Sequence, residues 1–280
     1  MEIRDWFCSL TIVHCPLLMI SFGELRKKSL EWKVELSDVE HVYALDWLVR
    51  GIFRRPLLKS SLALNGESAL ALAYFVQAPR VRDVDLIRTG ELDSAMLEQE
   101  FIQATNETAQ ASGLKFRLVS FQDTEARVEF AGPLGRRSAA QPLIVVRIVP
   151  RTTRIEPSVT PLVHPFNEPL DAEVRAVALA ELAAERIVGY AQKPRARDVY
   201  DLWLLLTLGL GQLNAELVRS LAGQIADAKR VRLTPTLDPT YAPLLERSWD
   251  KGLGKIAGHP SFAQAQTDIE TALRQLGIAA

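Results

Sequence analysis

The sequence has little cysteine, and it has no large excess of charge of either sign. Its two cysteines, Cys8 and Cys15, are not spaced as zinc ligands or as a disulfide framework, which favours a reducing, cytoplasmic location. The net charge of −1 provides no general attraction to nucleic acid or to an anionic membrane, so any RNA contact must come from local basic clusters. The apolar stretch over residues 6–22 is interrupted by Pro16 and is too short to span a bilayer as a helix. No membrane role is predicted.

The length of 280 residues suffices for one large domain or two modest ones. Hydrophobic residues at 48% and charged residues at 24% are typical of an ordinary globular protein. A proline-containing connection over residues 150–170 is the expected boundary between two lobes. We therefore predict an α+β fold, with a mixed sheet and flanking helices over residues 19–150 and a mainly helical lobe over residues 151–280.

Local patterns place helices and strands along both lobes. Ser21 with Glu24, and Ser37 with Glu40, have the spacing of capping boxes that begin helices. Short apolar runs and alternating patterns predict strands over residues 62–64, 84–87, 116–121, 128–130 and 143–149. The last three of these are expected to be antiparallel. Further helices are predicted over residues 67–76, 92–112 and in most of the chain from residue 179 onward.

Two aspartates in the second predicted strand are the first candidates for chemistry. Asp83 and Asp85 are two residues apart, and side chains alternate along a strand, so both carboxylates project from the same face. Such oxygen ligands suit Mg²⁺, with Mn²⁺ as an alternative, and Mg²⁺ usually keeps substrate phosphates in its shell. Aspartates with this spacing arise by chance about once in a chain of this length, so the pair alone indicates little.

The segment before these aspartates strengthens the interpretation. An apolar strand is followed by Gly66 and Ser68 and then by a helix. Glycine lets the backbone approach a phosphate, and a helix start that carries a hydroxyl favours anions. The turn and the aspartates together predict an NTP site beside a metal. The alternative is a capped helix after an ordinary turn, followed by a charged strand end.

An ordered series of motifs extends this pattern over most of the chain. In order, the motifs occupy residues 24–34, 39–48, 62–75, 83–86, 132–135, 182–186 and 197–203, the last with the sequence RDVYDLW. Taken together, the series resembles the AbiEii/AbiGii nucleotidyltransferase toxin family of type IV toxin–antitoxin pairs. The resemblance covers about residues 19–203. Residues 1–18 precede it and are predicted to be an extension that packs poorly.

The resemblance implies a nucleotidyltransferase (polymerase-β-like) fold. It also implies an enzyme that transfers a nucleotide from an NTP to the 3′ end of an RNA, with tRNA as a known acceptor class. The implied cofactor is Mg²⁺ or Mn²⁺. A protein antitoxin or neighbouring-gene partner is expected from the resemblance as well.

Seven residues carry the roles that the resemblance implies. The expected nucleotide-binding residues are Gly66, Ser68 and Arg186, and the expected metal-binding and catalytic residues are Asp83 and Asp85. Asp198 and Asp201 lie three apart on one face of a predicted helix and match the closing motif, where they would position or deprotonate the acceptor. The alternative for these two is an ion-pair cluster that docks the helical lobe. Arg186 stands where the family usually has lysine.

Three departures from the family pattern fall near this site. Glu67 puts a negative charge where a triphosphate should bind. Arg147 occupies a strand position that is acidic in relatives, and its guanidinium is expected to pair with Asp83 and Asp85 in place of a metal. Relatives carry Glu-Lys-Asp before the tyrosine of a third motif, whereas this chain has His41 and Val42 in place of the Lys-Asp. A degenerate family member that acts as a binding or regulatory partner is therefore the alternative function. Contact of Arg147 with the aspartates would favour it, and a clear metal pocket would favour the enzyme.

Overall fold

The computed structural model describes residues 19–135, 142–254, 256 and 258–278, so the predicted extension over residues 1–18 lies outside the described residues. In chain order, the helices α1 to α10 are Phe22–Trp32, Leu36–Arg54, Pro56–Ser61, Gly66–Ala69, Ser94–Ser112, Leu179–Tyr190, Ala196–Leu208, Ala215–Lys229, Ala242–Leu253 and Phe262–Gln275. The strands β1 to β7 are Leu62–Leu64, Val84–Arg88, Lys115–Gln122, Glu125–Ala131, Leu143–Pro150, Ser158–Pro161 and Glu173–Ala176. Within the described ranges, no helix is long and apolar enough to cross a membrane.

The strands form one mixed sheet with the order β3-β4-β5-β2-β1-β7-β6. The strands β3, β4 and β5 are antiparallel neighbours, as predicted, and β2 then pairs with β5 in parallel and with β1 in antiparallel. β7 is parallel to β1, and β6 is antiparallel to β7. The expected α+β class with a mixed sheet is confirmed. The sheet itself continues past residue 150, and the division into lobes at that point stays a prediction.

Burial alternates along the central strands and sets the two faces of the sheet. On β5, Ile144, Val146 and Ile148 are fully buried, whereas the intervening Arg147 lies on the other face.

The layer of helices that covers the sheet includes α2, which packs on α5. A Cβ at Gly51 would lie 1.8 Å from Oγ1 of Thr108, so only glycine permits this close approach of α2 and α5. Full burial of each aliphatic side chain contributes about 1.5–3 kcal/mol.

The first predicted capping box is half correct. Ser21 caps α1, because its Oγ accepts a hydrogen bond from the Glu24 amide at 3.1 Å. The Glu24 carboxylate does not complete the box. It accepts instead from the backbone amide of Asn167 at 2.7 Å, which ties α1 to the chain beyond β6.

The second predicted capping box is wrong. α2 begins at Leu36, so Ser37 lies inside the helix, and Glu40 is buried. The Glu40 carboxylate accepts a hydrogen bond from the backbone amide of Leu134 at 2.7 Å. Burial raises the pKa of Glu40, and this hydrogen bond opposes the rise. Glu40 therefore holds the turn over residues 132–135 against α2.

Candidate functional site

Asp83 directly precedes β2 and Asp85 is its second residue, and both contact Arg147 of β5. Asp85 and Arg147 are partners in the parallel register of the two strands. Nη2 of Arg147 lies 2.8 Å from Oδ2 of Asp83, and Nη1 lies 3.4 Å from Oδ1 of Asp85. The hydrogen bond with Asp83 is the main reason why the pKa of Arg147 is raised. The predictions that both aspartates share a face and that this arginine pairs with them are confirmed.

This guanidinium decides whether a divalent cation fits between the aspartates. The two carboxylates supply the hard oxygen ligands that Mg²⁺ prefers. The positive charge of Arg147 bridges them, however, and it repels a second cation. In the described part of the chain, no group of three or more His, Cys, Asp or Glu side chains is placed to hold a metal ion. The residues present do not fit a divalent metal while Arg147 contacts both carboxylates.

The turn after β1 is bound directly to the strand that carries the aspartates. The backbone amide of Asn65 donates to the carbonyl of Asp85 at 2.9 Å, and the amide of Asp85 donates to Oγ of Ser68 at 2.8 Å. Ser68 is fully buried, so its hydroxyl fixes the position of β2. Gly66 has a φ of +53°, and a Cβ there would lie 3.7 Å from Nη2 of Arg186. The phosphate-binding roles of Gly66 and Ser68 stay predictions.

Ion pairs join this turn to α6 and α7 in a group that we call the Arg197 cluster, made of Glu67, Arg186, Arg197 and Asp201. Nη2 of Arg197 lies 3.0 Å from Oε2 of Glu67, and its Nε lies 3.3 Å from Oδ1 of Asp201. The other oxygen of Asp201 lies 3.0 Å from Nη2 of Arg186. Burial is the main cause that raises the pKa of Asp201 to about 6. The negative charge of Glu67 is thus balanced within the protein by Arg197.

Asp198 faces the start of its own helix. Its Oδ2 accepts from the backbone amide of Arg195 at 3.1 Å and from Nε of the same residue at 2.9 Å. Burial opposes ionisation, but the hydrogen bonds and charge of Arg195 outweigh it and lower the pKa of Asp198. Arg186 lies 3.9 Å away. These contacts are those of the ion-pair alternative for Asp198 and Asp201, and a catalytic role for either stays a prediction.

One side chain that supports the turn was missed in the sequence. Nη1 of Arg151, which follows β5, lies 3.3 Å from Oδ1 of Asn65 and 3.2 Å from the carboxylate of Glu185. Nη2 of Arg151 lies 2.8 Å from Oε1 of Glu181, which is fully buried. Glu181 and Glu185 are four residues apart and share a face of α6. Two carboxylates that share one face of a mostly apolar helix indicate a basic partner, and this was the signal for Arg151 in the sequence.

A comparison with family models identifies the family to which this chain belongs. The model described as nucleotidyl transferase AbiEii toxin, type IV TA system, matches residues 47–274, which include the aspartates, the turn and the Arg197 cluster. The chain belongs to the AbiEii family. AbiEii membership implies nucleotide substrates and an antitoxin partner, in keeping with the nucleotidyltransferase toxins of type IV systems.

Solved structures support the same fold for this AbiEii-family chain. MenT4, a nucleotidyltransferase toxin from Mycobacterium tuberculosis H37Rv, is similar with a TM-score of 0.64 and 17% sequence identity. The similarity covers 93% of this chain and 91% of that chain. At this identity the likeness shows the fold alone. A comparison with curated proteins gives no match.

Proposed function

We propose that this AbiEii-family chain binds an NTP beside the turn after β1, at residues 65–68, which we call the Gly66 turn. We also propose that Arg147 takes the place of the metal. The chain then acts in its toxin–antitoxin system as a binding or regulatory partner with little or no nucleotide transfer. The observation that carries this proposal is the contact of one guanidinium with both Asp83 and Asp85, at 2.8 and 3.4 Å. A side chain that is always protonated occupies the position where a nucleotidyltransferase needs a cation from solution.

Nucleotide binding is supported by the groups around the turn. Arg186 lies within contact distance of the position where a Gly66 side chain would be, and Arg197 lies beside it in the Arg197 cluster. Guanidinium groups bind phosphate oxygens through paired hydrogen bonds. Glu67 competes for Arg197, so a triphosphate must displace this carboxylate to bind. We therefore expect NTP binding that is weak and does not depend on a metal.

The second candidate function is transfer of a nucleotide from an NTP to the 3′ end of an RNA, with tRNA as the acceptor and Mg²⁺ or Mn²⁺ as cofactor. The exposure of the ion pair favours it, because the side chains of Arg147, Asp83 and Asp85 are 48%, 34% and 39% exposed. Ion pairs as exposed as this contribute about 1 kcal/mol or less. Displacement of Arg147 is therefore inexpensive in energy, and the Asp198 and Asp201 roles belong to this candidate.

One experiment separates the two candidates. The purified protein is incubated with total tRNA, each labelled NTP in turn, and Mg²⁺ or Mn²⁺, beside the double variant Asp83→Ala/Asp85→Ala. Equilibrium dialysis measures NTP binding with and without EDTA. The first proposal expects unlabelled tRNA and NTP binding that EDTA does not change.

Label on tRNA with the wild-type chain, and none with the double variant, would overturn the first proposal and support transfer. Absence of both NTP binding and transfer would contradict both candidates. Glu129→Ala, on β4, is the matched control, because it removes a carboxylate that is paired with an arginine, Arg117, outside the candidate site.

A further inference from the structure

Asp201 is a buried carboxylate that is shared by two arginines from different helices. One of its oxygens lies 3.0 Å from Nη2 of Arg186 on α6, and the other lies 3.3 Å from Nε of Arg197 on α7. Its side chain is only 2% exposed, so water does little to solvate its charge. A carboxylate that is removed from water depends on paired cations to stay ionised. The ionised form of Asp201 therefore depends on both guanidinium groups.

The same two arginines lie at the Gly66 turn, where a nucleotide phosphate is proposed to bind. Nη2 of Arg186 lies 3.7 Å from the position of a Cβ on Gly66, and Arg197 contacts Glu67 at 3.0 Å. Nε of Arg197 is buried and has no hydrogen-bond partner among the described residues, because its contact with Asp201 is an ion pair only. An incoming phosphate and Asp201 therefore compete for the same two cations.

The surroundings of Asp201 combine burial with charges of both signs. The charged groups that face it come from α4, α6 and the start of α7, and they are Glu67, Arg186, Arg195, Arg197 and Asp198. The pKa of Asp201 is raised to about 6, mainly by burial, and the two arginines of α6 and α7 oppose the rise. Burial also opposes ionisation of Asp198, but its contacts with Arg195 lower its pKa. Asp198 therefore stays ionised in the pH range where Asp201 takes up a proton.

We propose that Asp201 competes with the nucleotide phosphate in a proton-dependent way, so that the Gly66 turn binds anions more tightly when Asp201 is protonated. The inference rests on the proposed function, because it describes the regulation of the same site. Protonation removes the negative charge between Arg186 and Arg197 and leaves both cations to the phosphate. The coupling is reciprocal, so a bound phosphate favours proton uptake by Asp201.

The direction of the pH dependence follows from the charge of the ligand. An anion binds the neutral form of Asp201 more tightly, so its affinity is highest below the pKa of about 6 and falls as pH rises through that value. Repulsion between Asp201 and one phosphate charge that shares its two arginines changes affinity by about tenfold at a dielectric between those of water and the interior. We therefore expect about tenfold tighter binding at about pH 5 than at about pH 8.

The probe of the test must keep its own charge constant over this range. The terminal phosphate of an NTP titrates at about pH 6, whereas each phosphate of diadenosine triphosphate is bonded on two sides and does not titrate there. This compound is bound to the full chain in EDTA and followed by calorimetry in two buffers of different ionisation enthalpy. The comparison yields affinity and proton uptake together. We expect uptake of about half a proton per bound anion at about pH 6.5.

Four variants assign the proton and the anion to their residues. Asp201→Asn should bind at every pH with the affinity of the protonated wild type and should take up no proton. Asp198→Asn is the matched control, because it removes a carboxylate from the same helix and should keep the pH dependence. Glu67→Gln should keep it as well. Arg186→Gln should weaken binding about tenfold, as the loss of one charge-assisted contact predicts.

The outcomes separate a failure of this inference from a failure of the proposed function. Wild-type binding that is the same at both pH values, or proton uptake that persists in a folded Asp201→Asn protein, would overturn the inference and leave nucleotide binding intact. Unchanged affinity in Arg186→Gln would place the anion away from the Arg197 cluster and overturn it too. Absence of binding at every pH would contradict nucleotide binding at the Gly66 turn itself, and the inference would fall with it.

Discussion

Substitution of Arg147 by aspartate should create the divalent metal site that the natural sequence prevents. At about 4 Å, two unit charges interact with about 1 kcal/mol in a water-like medium, which suits groups that are a third to a half exposed. While Arg147 keeps its contacts with Asp83 and Asp85, its charge therefore repels a dication between them by about 2 kcal/mol in the wild type. In Arg147→Asp it is attracted by about the same amount. The difference of about 4 kcal/mol corresponds to roughly a thousandfold gain in affinity.

Binding of Mn²⁺, followed by electron paramagnetic resonance or calorimetry, measures this gain. Arg147→Leu removes the repulsion without adding a ligand, so it should gain only about thirtyfold. Arg117→Asp makes the same charge change on β3 and should gain little. Equal Mn²⁺ affinity in all four folded proteins would refute the electrostatic argument. So would tight binding to the wild type that is lost in Asp83→Ala.

Three further predictions concern neighbouring groups. Glu67→Gly frees the charge of Arg197 and should raise NTP affinity about tenfold in a fluorescent-nucleotide titration; unchanged affinity would mean that Arg197 does not reach the phosphates. The raised pKa of Asp201, about 6, means that folding favours its protonated form, so a stability penalty is fully present above pH 6 and is relieved as pH falls toward 4. The unfolding free energy of wild type relative to Asp201→Asn should therefore increase by up to about 3 kcal/mol between pH 7 and pH 4, and a decrease in a urea titration would contradict this. Gly132→Ala places a Cβ 2.6 Å from Oε1 of Glu40 and should cost about 1–3 kcal/mol in urea unfolding, whereas an unchanged midpoint would show that the turn adjusts freely.

Features that depend on local periodicity could be predicted from the sequence. Ser21 caps a helix because a hydroxyl two to three residues before free amides satisfies them whatever the surroundings. Side chains alternate along β5, so Arg147 projects from the face opposite the buried one. The family resemblance places this strand position next to Asp83 and Asp85, and Arg147 contacts both. The antiparallel order of β3, β4 and β5 follows from alternating strands that are consecutive in the chain, with two residues between β3 and β4 and a glycine- and proline-containing link before β5.

Features that depend on distant partners could not be predicted in the same way. Glu40 has the spacing of a capping residue, but the amide of Leu134, 94 residues away, binds its carboxylate. The helix predicted over residues 67–76 changes at Leu70 into a π-helical turn that ends at Tyr74, and no local pattern marked that change. The short strand β6 lies in the stretch over residues 150–170 whose prolines indicated a connection, and β7 lies just beyond it. Neither was predicted, because β7 forms by pairing with the distant β1, and β6 by pairing with β7.

The position of β1 between β2 and β7 has a consequence for synthesis of the chain. β1 is only three residues long, and one of its neighbours is not translated until Ala176. A nascent chain that stops near residue 150 would hold β1 with one side unpaired, and exposed strand edges recruit other chains. Pairing on this side of β1 therefore waits until the chain has extended through β7, so this part of the sheet closes late in translation.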